Sequence, residues 1–379
     1  MEKLSVLYSQ YIIDGIPQEL SPGEMLDDCL ASGSEASHKT FEEPVMDETK
    51  DPSLQTGSYD NWKIQDYLAE TVSHNGRTFP VVFAAQYTKI LVERALIDTI
   101  WNDGHFRLGD VELKMDWKWD CDPIGNLAAF HASALAASEC LEDLGIKLSS
   151  YSFEQSGTCQ LGIKPSFVRG PHEEEDILVE MPYHTRHPRF SYKRKHPSHI
   201  IDDPDSWLIY VPMDSCDHRL GGSLLSETEN IGGGVAPEAG DADYFFDCFE
   251  IVREMVEDGI IISGDTVGDG GLLTTLKKMC LASDSKVGAR INLSDLIKAC
   301  HEQDIVRLLF AEVPGVIIQI RDQDYDYLDA EFVLQDVMFF PLGHPTPGRS
   351  EIKVDSSGKT GIESILESLI RSQSSEGED

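Results

Sequence analysis

The sequence predicts an α/β (α+β) protein, and three observations carry that expectation. Segments whose apolar residues recur at the helical period of 3.6 follow one another with short β-like runs between them. The two kinds of segment alternate along the chain instead of being segregated, which argues for a sheet covered on one face by helices. Of the 379 residues, 41% are hydrophobic, enough to supply the cores of two domains of ordinary size.

Taken in order, the first 60 residues read as an acidic leader. From Glu19 to Asp60 the chain is polar and rich in Gly, Pro, Ser and Asp with little periodicity, the composition of a linker or tail. "QYTKILVERALIDTIW" then sets Ile90, Leu91, Ala95, Ile97 and Trp101 on one broad helical face. "VELKMDWKW" alternates as a strand with Val111, Leu113, Met115, Trp117 and Trp119 on one side. An Ala-rich helix follows and ends at Gly145, where a C-terminal glycine cap belongs. These elements form a first unit over residues 61–204. A second, over residues 205–348, begins with the strand "SWLIYVPM", the amphipathic helix "ADYFFDCFEIVREMVEDG" and the buried strand "IIIS". The helix "GLLTTLKKMCLAS", the strand "GARINL", a helix near "LSDLIKACHEQD" and the strands "VRLLFA" and "GVIIQI" complete it. Residues 349–379 end in "SQSSEGED", which reads as a frayed terminus.

Composition narrows the function. Sixty-seven acidic against 31 basic side chains give a net charge of -36, which repels nucleic acid and anionic membranes, so neither is an expected partner. No window reaches the roughly 18 apolar residues needed to span a bilayer, and the first residues lack the pattern of a signal peptide. Eight cysteines are spread singly, without CxxC pairs or His at zinc spacing, as expected of reduced thiols in a cytoplasmic protein. The one dense basic cluster, His184 to His199, reads as a surface loop balanced by the chain's own acidic segments; the alternative is a docking site for an anion, an RNA loop or an acidic partner. Asp214, Cys216, Asp217 and His218 crowd together, but neighbours on one strand point to opposite faces, so a loop edge is the expected reading rather than a metal site. Glu312, between two apolar runs, reads as a polar residue at a strand end, with Pro314 and Gly315 making a turn.

Four strings in register carry a family resemblance: "MDWKWDCDPIGNLAAFHASALAASECLEDLGI", "DHRLGGSLLSE", "ADYFFDCFEIVREMVEDGIIISGDTVGDGGLLTTLKKMCLAS" and "VRLLFAEVPGVIIQI". With their spacing they cover roughly Phe79 to Gly343, and the chain resembles the C-terminal half of the synthase core of phosphoribosylformylglycinamidine synthase, of the aminoimidazole-ribonucleotide synthetase-like superfamily. The resemblance implies a synthetase-like C-terminal domain with a mixed sheet covered by helices, preceded by a shortened nucleotide-domain-like α/β unit. It also implies descent from an ATP-dependent C–N ligase of purine biosynthesis, specifically its auxiliary half, which holds ATP or ADP with magnesium. Because related domains pair across strands, an orphan half is expected to expose apolar surface and to self-associate or dock to a full-length synthase.

The residues that the resemblance singles out are Asp269, Gly270 and Gly271 before a helix, Gly221 and Gly222 of "RLGGS", and the carboxylates Asp265 and Asp98. A phosphate at a helix N-terminus needs free N–H groups, glycine for close approach and, usually, a carboxylate-held metal. The family pattern HDxSxGGL falls here on Asp265 through Leu272, so Thr266 stands where the metal-binding Asp belongs and Gly268 where the Ser does. Arg94 and Asp98 stand where a Glu and an Asn ligate metal, and an arginine cannot ligate magnesium; it could instead contact a phosphate or pair with Asp98. The signature GKDSLSM should fall near Tyr151 to Gly157, which keep neither its Lys nor its Asp. No catalytic residue is assigned. The expectation is a family member without ligase activity on its own; the alternative is a non-catalytic interaction or assembly module.

Overall fold

The computed structural model describes residues 3–31, 61–74, 76–123, 125–167, 190–230 and 234–355. The chain begins with a helix α1 (Lys3–Tyr8), a small hairpin of β1 (Ile12–Ile13) and β2 (Ile16–Pro17), and a helix α2 (Pro22–Ala31). Here the structure departs from the expected leader. Ser21 caps α2, its N–H and hydroxyl both donating to Glu24 at 2.8 and 2.7 Å, and Met25 and Leu26 are buried. The four-residue capping signal, Ser21 to Glu24, stands just ahead of the polar, acidic stretch that dominates the composition of residues 19–60. Residues 32–60 lie outside those described.

Helices α3 (Asn61–Ser73) and α4 (Ala84–Ile100) come next. α4 is buried nearly all round, Glu93 and Arg94 included, as befits a helix at the centre of the molecule. It leads through β3 (Asn102–Gly104) to β4 (Val111–Trp119), α5 (Asn126–Asp143), β5 (Lys147–Gln155) and β6 (Gln160–Phe167). β4 is the middle of a three-stranded sheet, parallel to β5 and antiparallel to β6. The parallel pair requires a crossover, and α5 supplies it. The expected alternation holds residue by residue: Val111, Leu113, Met115, Trp117 and Trp119 are buried, while Glu112, Lys114, Asp116 and Lys118 are not. The indole N–H groups of Trp117 and Trp119 donate to Ser133 Oγ and the Asn126 carbonyl, so neither is buried unsatisfied. The last strand of this half, β7 (Phe190–Arg194), pairs with β3 and brings Arg194 opposite Asn102.

The second half introduces β8 (Trp207–Pro212), α6 (Leu224–Thr228), α7 (Ala242–Glu257), β9 (Ile261–Thr266), α8 (Gly271–Leu281), β10 (Val287–Asn292) and α9 (Ser294–Ala299). It continues with α10 (Ile305–Phe310), β11 (Gly315–Ile320), α11 (Tyr325–Leu334), β12 (Phe340–Pro347) and β13 (Ile352–Asp355). Six strands make one mixed sheet in the order β13-β10-β12-β8-β11-β9, with only β10 and β13 parallel. Two expectations need correction. The sheet is covered on both faces: Val316, Ile318 and Ile320 share a core with α4, α7 and α11, while Ile317 shares one with α8 and α10. The run "VRLLFA" is the helix α10, not a strand, because the Asp304 side chain accepts the Val306 N–H at 2.9 Å and starts a helical turn.

Candidate functional site

The turn between β9 and α8 is built on paired glycines. Gly270 and Gly271 both have positive φ, 87° and 72°, and a Cβ on Gly271 would stand 2.6 Å from the Ala311 carbonyl oxygen. The close approach is therefore to the chain's own backbone after α10. That contact delivers Glu312 to the start of α8. Glu312 is buried, and its Oε1 accepts the N–H of Gly270 at 2.9 Å and of Leu224 at 2.7 Å. Its Oε2 accepts from Arg77 at 2.5 Å and from Arg94 at 3.3 Å. Both guanidiniums also reach Asp269 Oδ1, at 2.6 and 3.0 Å, and Arg77 donates to the Gly222 carbonyl. Gly221, next to it, donates its N–H to Val235 at 2.8 Å. Five of the residues expected at a ligand site thus gather in one cleft, around an internal ion network.

Its charges balance, two guanidiniums against two carboxylates. Burial works to lower the Arg77 pKa, but the Glu312 charge overrides it and holds Arg77 above its ordinary range. Burial likewise works to raise Asp269, and Arg77 and Arg94 bring it below the usual carboxylate value. The Arg77 guanidinium lies 4.4 Å from the centroid of the Tyr87 ring, which fixes it from a third side.

Asp98 lies one helical turn beyond Arg94 on α4, and Asp265 lies on β9. Asp98 Oδ1 accepts from the Thr266 hydroxyl at 2.6 Å, and that hydroxyl in turn accepts from the Trp101 indole at 3.0 Å. Asp265 accepts from Arg194 at 3.3 Å. Burial raises the pKa of both carboxylates, and the Arg194 charge opposes the rise in each. A position where two carboxylates at the edge of the cleft invite a cation is thus served by a guanidinium from β7. Arg94 does not pair with Asp98, the option the sequence left open; it turns to Asp269 and Glu312 instead.

The other candidates resolve into structural roles. Of the basic cluster, residues 184–189 lie outside those described, but Arg194 sits 5.2 Å from the Trp101 ring centroid, Lys195 donates to the Glu257 carbonyl and His196 to that of Val256. These groups are engaged within the chain, not spread on a solvated loop. Asp214 accepts the N–H groups of Cys216, Gly240 and Asp241, so its carboxylate ties two loops together. Sequence reasoning missed Arg77 altogether, underrated Glu312, and gave Arg253 no part. Arg253 is fully buried in α7 and donates to the carbonyls of Ile100, Asn102 and Gly104, clasping the end of the helix that carries Asp98.

A magnesium-bound phosphate does not fit the residues present at this turn. The Gly268 N–H is taken by Thr275 Oγ1 at 3.0 Å, that of Gly270 by Glu312 and that of Gly271 by the Gly268 carbonyl at 3.0 Å. Among the described residues no three His, Cys, Asp or Glu side chains converge to hold a metal ion.

Comparison with known proteins agrees with this architecture. Residues 203–332 match the model of the AIR synthase related protein, C-terminal domain. The chain is 25% identical over 274 residues to an Arabidopsis thaliana protein named probable phosphoribosylformylglycinamidine synthase, chloroplastic/mitochondrial, covering 70% of this chain and 18% of the relative. Against the Homo sapiens phosphoribosylformylglycinamidine synthase it is 24% identical over 245 residues, covering 62% of this chain and 17% of the relative. The chain therefore spans less than a fifth of the length of these relatives. Among solved structures, T. maritima PurL complexed with FGAR aligns with a TM-score of 0.47 and 13% identity, over 74% of this chain and 41% of that one. Residues 203–332 thus carry an AIR synthase related C-terminal domain, and the chain is similar to phosphoribosylformylglycinamidine synthases over 62–70% of its length.

Proposed function

We propose that this chain is a synthase-like protein of the purine-biosynthesis family that has no ligase activity of its own and works through protein contacts, by self-association or by docking to a full-length synthase. The observation that carries the reading is the replacement of external ligands by internal charges. Glu312 stands as the anion at the start of α8, and Arg194 as the cation beside Asp98 and Asp265. An ATP site needs both places free for phosphate and metal.

The contact surface we favour is not the open face of the three-stranded sheet, which presents Glu112, Lys114, Asp116 and Lys118. Large exposed apolar side chains occur instead at the end of α11 and just beyond, at Val333, Leu334 and Met338. Eight unpaired cysteines favour a reducing compartment, such as the cytosol; among the described residues no helix is long and apolar enough to cross a membrane.

Isothermal titration with ADP and magnesium tests the reading. No heat beyond dilution is expected; a single-site curve abolished by Asp98→Ala or Asp265→Ala would overturn it and reinstate a nucleotide-binding half.

A further inference from the structure

We propose that the Glu312 carboxylate is a built-in ligand of an oxyanion site, and that removing it opens that site to an inorganic oxyanion of the phosphate type. The geometry is that of a bound anion. Two backbone N–H groups, from Gly270 and Leu224, converge on one oxygen, and two guanidiniums, from Arg77 and Arg94, on the other. Backbone donors, a helix N-terminus and forked guanidiniums are the groups that hold phosphate where no metal assists. α8 has 11 residues, long enough for its N-terminal partial charge to contribute.

Two further observations separate this from an ordinary ion pair. The Nε atoms of both Arg77 and Arg94 are buried without a hydrogen-bond partner, so the two arginines keep donors that a three-dimensional oxyanion can use and a planar carboxylate leaves idle. Glu312 also borders a residual cavity of only about 10 Å³, shared with Phe83, Tyr87 and Ile90. With Glu312 in place nothing larger enters. A second cavity of about 370 Å³, lined by Arg77, Phe79, Tyr87 and Lys118, shares Tyr87 with the first and borders Arg77. Without the Glu312 charge, two guanidiniums would face Asp269 alone, and the excess positive charge would call for an anion from solution.

The site rests on Glu312 geometry and not on the absence of ligase activity, so the two can fail separately. The test titrates inorganic phosphate, without metal, into the native chain, Glu312→Ala and Glu312→Gln, with chloride at matched ionic strength as control. Glu312→Ala should gain a saturable rise in melting temperature and a single-site calorimetric curve with phosphate. The native chain and Glu312→Gln, whose amide still fills the space, should show neither. Should Glu312→Ala fold poorly, the double variant Glu312→Ala/Arg94→Met removes the unbalanced charge and keeps Arg77 with both N–H donors. It should bind phosphate about tenfold more weakly than the single variant, one charge-assisted hydrogen bond fewer. If neither variant gains a saturable phosphate effect beyond that of chloride, the proposal is overturned.

Discussion

Glu93, one position before Arg94 on α4, faces away from the ion network and into the core. It is buried, and its Oε2 has no hydrogen-bond partner among the described residues. Burial, then the charge of Asp214, push its pKa well above the usual carboxylate value, against the pull of Lys89. The sign follows from proton counting. Between the unfolded value of about 4.5 and the higher folded value, the native state holds a proton that the unfolded chain has released, so stability falls as pH rises through that window, at about 1.4 kcal/mol per unit. Glu93→Gln removes the titration while keeping the shape. Its melting temperature at pH 7.5 should exceed that of the native chain, and the gap should narrow towards pH 4.5; thermal melts across that range decide it, a gap independent of pH counting against the account. The neighbouring pair illustrates what sequence can say of single residues: both letters are charges on an apolar helix, yet nothing local separates the unpaired buried acid from the paired arginine.

At the scale of elements, local patterns were read well where period and cap agreed. β4 and α5 follow directly from alternation and from the glycine after Leu144, because both signals are contained within their own segments. α10 was misread because a short apolar run fits either state, and the deciding feature was the Asp304 cap rather than the run itself. α2 was missed because the polar, acidic stretch that follows it dominated the composition of residues 19–60, although Leu26 is completely buried against the first core. If α2 belongs to the fold and is not a leader, Leu26→Ala should lower the unfolding free energy by about 2–5 kcal/mol in a denaturant titration. A change below about 0.5 kcal/mol would mean that α2 can detach without loss to the rest.

For the whole molecule the dominant quantity is charge. A net -36 on 379 residues repels itself in the compact state, while the Arg77, Arg94, Asp269 and Glu312 network is largely buried and only weakly screened. Adding salt therefore weakens the repulsion more than the network. The melting temperature should rise as sodium chloride increases from about 10 to 150 mM; a fall would show that exposed attractive pairs outweigh the overall repulsion. The same charge excess gives internal cations unusual value, and the basic strand β7 illustrates the use made of them, with Arg194 directed to Asp265 and Trp101.

What the sequence by itself determined was the set of helices and strands with clear periodicity and the resemblance to the synthase family. The helices and strands are legible because period and cap are local properties of each segment. Only the tertiary structure decided which charges meet at the turn before α8 and beside Asp265. Arg77 and Glu312 are 235 positions apart, and Arg194 and Asp265 are 71; such pairings arise only when two cores bring α4, the turn before α8 and the strand β7 against one another. The charge of a side chain can be read in its own letter, but its partner is chosen by packing.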